Sequence, residues 1–269
     1  MVFVYILLAL VLLLLFMIFP TTRRHPDRKI MQGMYIAHRG LHTGDERVPE
    51  NSLLSFEKAI EKGFAIETDI HITADNEVII FHDDTFLRMC GDNRRPEDMT
   101  LKEIKNLRLL GTEHRVPTLK ECLDTVDKRA ALLIEFKTKS PKTCTRLCTA
   151  ANEILKDYKG KYFVQSFYPF VPHWYRKNRK DIMRGQLSSG FFEEKGTHMK
   201  MLSALLFNFI ARPDFVAYEY KYRNNIFRCL CAFLGAYSVG WTFTDQDQIE
   251  KSKDKMNTFI FELFMPKDR

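Results

Sequence analysis

The chain opens with nineteen consecutive apolar residues, Met1 to Phe19, closed by Pro20. After them the pattern changes to short apolar or β-branched runs that alternate with stretches of helical period. The runs read as strands at Met34–His38, Ala65–Ile72, Val78–His82, Leu132–Phe136, Tyr162–Ser166, Ile182–Leu187, Phe215–Tyr218, Tyr237–Phe243 and Thr258–Leu263. Between them, Asn51–Lys62, Thr100–Leu107, Thr118–Val126, Thr143–Lys156, Met199–Ile210 and Asn225–Leu234 read as helices; Leu53, Phe56 and Ile60 form one stripe at spacings of three and four. Strands that alternate with helices predict βαβ units and a parallel sheet. Only Thr73–Glu77 separates the second run from the third, too short for a parallel crossover, so the third is expected to pair antiparallel. Eight parallel strands remain, which predicts a (β/α)8 barrel over residues 34–269, with polar residues 84–115 as a small insertion.

Nineteen residues would make about 28 Å of helix, close to the roughly 30 Å of a bilayer core. A cleaved signal peptide would want a basic start, a shorter apolar core and a small-residue cleavage site, none of which is present. Residues 1–20 are therefore expected to be a single-pass transmembrane anchor and 21–33 a basic flank. Arg23, Arg24, Arg28 and Lys29 outnumber Asp27 there, which would put the barrel in the cytoplasm. Scattered Cys90, Cys122, Cys144, Cys148, Cys229 and Cys231 form neither a disulfide framework nor a zinc spacing and are read as reduced thiols. Two further segments, Met201–Ala211 and the aromatic and basic Trp174–Lys180, read either as barrel packing and a solvated helix end or as contacts with a lipid bilayer.

Composition excludes disorder and fibrous repeats: 45% of the 269 residues are hydrophobic and 28% charged. The net charge of +7 is unevenly spread. Residues 35–83 hold ten acidic against four basic residues, whereas 84–180 hold twelve against twenty-one. An acidic site in a basic shell fits a metal centre for an anionic substrate, and no nucleic-acid module accompanies it. No obligate protein partner is evident.

Barrel chemistry sits at the C-terminal ends of strands. Those ends carry His38-Arg39-Gly40, Glu67-x-Asp69, His82-Asp83 and Glu135-x-Lys137. Carboxylates two apart on a strand share a face, so Glu67 and Asp69 can hold one ligand. With Glu135 they offer oxygen donors suited to a hard divalent cation, Mg²⁺ or Ca²⁺. Two histidines, an arginine and a lysine complete a parts list for phosphodiester cleavage, in which one His removes a proton and the other protonates the leaving oxygen. Each element alone has a structural explanation; their meeting at the ends of otherwise apolar strands is what carries the reading.

His38-Arg39-Gly40, Pro49-Glu50-Asn51-Ser52, Glu67-Thr68-Asp69, His82-Asp83, Glu135-Phe136-Lys137 and Trp241-Thr242 resemble, in order and spacing, the motifs of the glycerophosphodiester phosphodiesterase family. The resemblance implies His38 and His82 as the acid/base pair, with the order between them open and contact with the metal as the alternative for His82. It implies Glu67, Asp69 and Glu135 as metal ligands and Arg39, Lys137 and Trp241 as substrate contacts. It implies hydrolysis of glycerophosphodiesters to glycerol 3-phosphate and an alcohol, with a glycerol hydroxyl attacking phosphorus to give a cyclic phosphate that water opens. Alternatives are lysophospholipase D-type hydrolysis of a lysophospholipid and a catalytically silent lipid-binding barrel. Thr68 and Ser52 are mild departures from the family pattern, while Phe243-Thr244 and the Ile260–Pro266 segment alter the pocket rim. His42, His173 and His198 match nothing in the pattern and are expected at the surface.

Overall fold

The computed structural model describes residues 1–21, 24–190 and 196–267. Strands β1 (Tyr35–Ala37), β2 (Ala65–Ile72), β4 (Leu132–Phe136), β5 (Tyr162–Ser166), β6 (Arg184–Ser188), β7 (Phe215–Glu219), β8 (Tyr237–Phe243) and β9 (Thr258–Phe261) pair in parallel, each with the next. β1 closes the ring, with Tyr35 opposite Phe259 on one side and Ile36 opposite Ala65 on the other. β3 (Val78–Ile80) runs antiparallel to β2, with His71 opposite Ile79, as the short connection requires. The fold is the expected eight-stranded parallel barrel.

Strand alternation divides the core in two. Ile36, Ala65, Leu133, Phe163, Ala217 and Ile260 fill the barrel interior as one cluster. Their neighbours in sequence, among them Ala37, Ile66, Ile134 and Val164, face outward onto the helices. Continuing the interior parity to the strand ends gives His38, Glu67, Asp69, Glu135, Lys137 and Glu262 at the C-terminal mouth.

Local chemistry sets the helix starts. Ser52 Oγ accepts from Ser55 N at 3.1 Å ahead of Leu53–Glu61, and Thr118 with Glu121 forms a capping box ahead of Leu119–Val126. Such caps contribute about 1 kcal/mol each. The helix expected over Met199–Ile210 is instead two, Thr197–Ser203 and Asn208–Ala211, parted where buried Leu205 takes a φ of 55°. Residues 84–115 carry short helical turns around a core of their own, with Phe86, Met89, Met99 and Leu109 buried beside Phe81 and Ile79.

The expectation of a membrane-spanning anchor is overturned. Helix α1 runs Val2–Ile18, 17 residues, and among the described residues no helix is long and apolar enough to cross a membrane. Pro20 is the physical reason for its early end: the residue before a proline is driven extended, and Phe19 lies at ψ 125°. About 26 Å of helix results. The last turn is also tied to the barrel. Arg212 Nη1 donates to Phe16 O (2.9 Å) and Phe19 O (2.7 Å), Asn208 Nδ2 donates to Ile18 O (3.1 Å), and Ile18 is fully buried. The placement as a single-pass membrane protein with a cytoplasmic domain falls with the span. In the apolar Met201–Ala211 segment Leu202, Leu205 and Ala211 are buried, and Phe209 meets Phe16 of α1. Arg23 of the basic flank lies outside the described residues.

Candidate active site

β2 delivers Glu67 and Asp69 to the mouth from one face, and β4 sets Glu135 opposite Asp69 in register. One oxygen of each lies within 4.8 Å of the others, and all three residues are buried. Glu67 Oε1 and Asp69 Oδ1 are buried without a hydrogen-bond partner. Three buried carboxylates with unfilled lone pairs fit a hard divalent cation.

Charge around the triad is finely divided. Lys137 Nζ lies 2.7 Å from Glu135 Oε1 and 3.0 Å from Asp69 Oδ1, the latter an ion pair without hydrogen-bond alignment. Burial alone would lower the lysine, but Asp69 and Glu135 outweigh it and hold Lys137 above its ordinary value. Asp69 is held well below the carboxylate range, because Lys137, His82 and Arg39 overcome its burial. Glu67 is pushed well up by burial and by Asp69 and Glu135; Glu135 is raised by burial, with Lys137 opposing. Like charges crowded in a dry site cannot all ionise without a cation. Asn51 fixes Asp69 from behind: its Nδ2 donates to Asp69 Oδ2 at 2.9 Å, and Thr68 Oγ1 donates to Asn51 Oδ1 at 2.8 Å.

Arg39 follows β1 at φ 54°, and its backbone N–H donates to Glu67 Oε2 at 3.1 Å. Its guanidinium donates to Glu50 Oε1 at 2.9 Å and stands 3.8 Å from Asp69. Gly40 makes that turn possible. At φ +77° a Cβ there would meet Ser55 Oγ at 2.3 Å and the Ser55 backbone at 2.8 Å. Ser55 Oγ donates to Arg39 O at 3.0 Å, closing the turn against its helix.

The two histidines are anchored alike. His38 Nδ1 lies 2.8 Å from Glu262 Oε1 and its Nε2 3.9 Å from Glu67 Oε2. His82 Nδ1 lies 2.7 Å from Asp83 Oδ1, and Arg88 donates to the other Asp83 oxygen at 2.7 Å. Burial lowers His38, which favours the neutral ring, although Glu262 opposes. Trp241 packs edge-on against Phe167, with ring centroids 5.8 Å apart, and its Nε1 is buried without a partner.

His38, Arg39, Glu67, Asp69, Glu135 and Lys137 thus converge on one cluster, and His82 follows Phe81, whose N–H donates to Asp69 O at 3.0 Å. Trp241 enters the mouth from β8. His42, expected at the surface, is buried and points Nε2 at Glu262 Oε1, 3.1 Å away. His173 is half-buried against Ile210 O, whereas His198 is exposed. Sequence reasoning also missed Glu262; the interior parity of Ile260 along β9 is the signal that would have found it.

The sequence profile of the glycerophosphoryl diester phosphodiesterase family matches residues 38–205, well over half of the chain. The chain belongs to this family. A glycerophosphodiester phosphodiesterase of Caldanaerobacter subterraneus is 35% identical over 118 residues, 40% of this chain and 46% of that protein. A human protein named lysophospholipase D is 24% identical over 176 residues, 60% of this chain and 54% of that protein. The chain spans about half the length of the curated relatives it matches. Among solved structures, an Oleispira antarctica phosphodiesterase in complex with the product sn-glycerol-3-phosphate superposes with a TM-score of 0.71 at 21% identity, over 87% of this chain and 94% of that one. A glycerophosphodiester phosphodiesterase from Parabacteroides distasonis gives 0.68 at 24% identity, over 86% and 92%. These two likenesses establish a shared fold.

Proposed function

We propose that this family member hydrolyses glycerophosphodiesters to glycerol 3-phosphate and an alcohol. The observation that carries the reading is the meeting, at one barrel mouth, of three buried carboxylates, a buried lysine and two imidazoles each anchored through Nδ1. Glu67, Asp69 and Glu135 would hold one Mg²⁺ or Ca²⁺, which supplies positive charge to the phosphate and lowers the pKa of a bound hydroxyl. Lys137 and Arg39 bring further cations to the phosphate oxygens.

A carboxylate cannot donate, so the ring nitrogens facing Glu262 and Asp83 carry the hydrogens and each Nε2 is left for substrate. Neutral His38, on the Glu67 side, takes the proton from the attacking glycerol hydroxyl through Nε2. His82, bonded to Asp83, delivers a proton from Nε2 to the departing alcohol oxygen. The protons balance: one enters His38 as one leaves His82, and the reverse transfers accompany opening of the cyclic phosphate by water. Trp241 and Phe167 offer an apolar wall for the organic part of the substrate.

Lysophospholipase D-type hydrolysis is a second reading, favoured by the name of the human relative. Glycerophosphocholine and lysophosphatidylcholine, offered separately with Mg²⁺ or Ca²⁺, decide between them. Choline and glycerol 3-phosphate from the first support diesterase activity. Choline from the second alone would replace it, and release from neither would refute both.

A further inference from the structure

We propose that Glu262 and His42 form a positioning relay that holds His38 with its Nε2 lone pair turned toward the carboxylate triad. This role rests on the acid/base reading of His38 given above.

Glu262 follows β9 with the interior parity of Ile260, and one of its oxygens, Oε1, meets both rings: His38 Nδ1 at 2.8 Å and His42 Nε2 at 3.1 Å. The tautomers follow from the donors. Gly44 N–H donates to His42 Nδ1 at 3.0 Å, which occupies that lone pair. Neutral His42 must then carry its hydrogen on Nε2 and donate it to Glu262. Glu262 is held far below the usual carboxylate range, because the hydrogen bonds from His38 and His42 outweigh its burial, so it accepts from both. His38 therefore carries its hydrogen on Nδ1. In the neutral ring the lone pair is on Nε2, the nitrogen 3.9 Å from Glu67 Oε2.

Backbone packing keys the parts together. His38 N donates to Phe261 O at 2.9 Å, which ties the end of β1 to the end of β9. Gly44 sits at φ +79°, and a Cβ there would be 3.1 Å from Leu263 Cδ2, beside Glu262 in sequence. The loop that carries His42 thus rests on the segment that carries Glu262. A base oriented by a third group that is itself held is the arrangement nucleophile-activating sites use. Neither Glu262 nor His42 touches the reacting atoms; they act through His38.

The experiment uses the full chain with glycerophosphocholine and divalent cation, and reads kcat and KM separately, alongside ring ¹⁵N shifts of His38. Glu262→Ala is expected to lower kcat about 10- to 100-fold while KM stays within about twofold. Glu262→Gln, whose amide oxygen still accepts from both rings, should recover most of that loss. His42→Phe should lower kcat by a smaller factor in the same sense. The ¹⁵N shifts should show neutral His38 protonated at Nδ1 in the wild type and a tautomer mixture in Glu262→Ala. A folded Glu262→Ala with wild-type kcat, or a neutral wild-type His38 protonated at Nε2, overturns the relay. Should Glu262→Ala fail to fold, equal kcat in the wild type and His42→Phe, with an unchanged His38 tautomer, also overturns it. Absence of any diester turnover would refute the proposed function, while the tautomer measurement still decides the orientation.

Discussion

Lys137 Nζ stands 2.7 Å from Glu135 Oε1, inside the carboxylate set that would hold a cation. The lysine therefore plays two opposed parts. It neutralises Glu135 and, together with Arg39, Asp69, and it competes for the same oxygens with an arriving metal ion. It also supplies charge to a phosphate. Lys137→Met keeps the length and removes the charge. It is expected to lower kcat by about 10²- to 10³-fold, the scale of losing one preorganised electrostatic contact. The variant should bind Mg²⁺ or Ca²⁺ more tightly than wild type. Without cation it should lose roughly 3 kcal/mol of stability, because buried carboxylates lose their partner. Steady-state kinetics, calorimetric titration and denaturant melts check the three directions. Weaker metal binding in the variant would mean that Lys137 does not compete for those oxygens.

Cation affinity should rise with pH. Burial and the neighbouring carboxylates raise Glu67, and burial raises Glu135, so each holds a proton more tenaciously folded than unfolded. Without cation, such groups bind more protons in the native state above the ordinary glutamate range, so their share of stability falls as pH rises through that window. A bound cation needs them ionised and removes this penalty. The increase in Tm on adding Mg²⁺ or Ca²⁺ should therefore grow as pH rises from about 5 to 7, and binding should release protons. Titrations in buffers of different ionisation heat measure that release. A cation-induced Tm shift independent of pH would show that the raised carboxyls are not the ligands.

His38→Ala and His82→Ala are each expected to lower kcat by about 10²- to 10⁴-fold, the range of general acid–base catalysis. The double variant should lose much less than the product of the two factors, since both rings serve one proton cycle. Losses that multiply fully would mean the rings act independently. His38 has the more buried environment, and Glu262 rather than solvent meets its Nδ1.

The barrel and its triad were legible because they rest on short-range rules. Alternation placed Glu67 and Asp69 on one face of β2, and the five-residue gap before Val78 forced an antiparallel pairing. What the sequence did not reveal depends on contacts between distant residues. His42 carries no periodic or motif signal, and only the closure of β1 on β9 brings it to Glu262, 220 positions away. Met199–Ile210 reads as one helix because helical period says nothing of the left-handed Leu205 between its halves. The N-terminal run was misread for a local reason. An apolar count gave its length, whereas Pro20 extended Phe19 and the last turn docked on Arg212 and Asn208.

Gly40 links backbone geometry to the site and gives the sharpest stability prediction. An alanine there must adopt φ +77° and place its Cβ 2.3 Å from Ser55 Oγ and 2.8 Å from the Ser55 carbonyl carbon. The left-handed backbone alone costs about 1–2 kcal/mol for a residue with a Cβ. The overlap adds to this because Ser55 is fully buried and cannot withdraw. Gly91 is the control: it lies at φ +73°, but a Cβ there would meet nothing within 4 Å. Gly91→Ala should therefore cost only the backbone part, and Gly40→Ala at least about 2 kcal/mol more than that in denaturant melts. Gly40→Ala should also weaken cation binding, since displacing the turn pulls the Arg39 N–H from Glu67 Oε2. Equal costs at the two positions would show that the helix over Leu53–Glu61 can shift away from the Arg39 turn without loss.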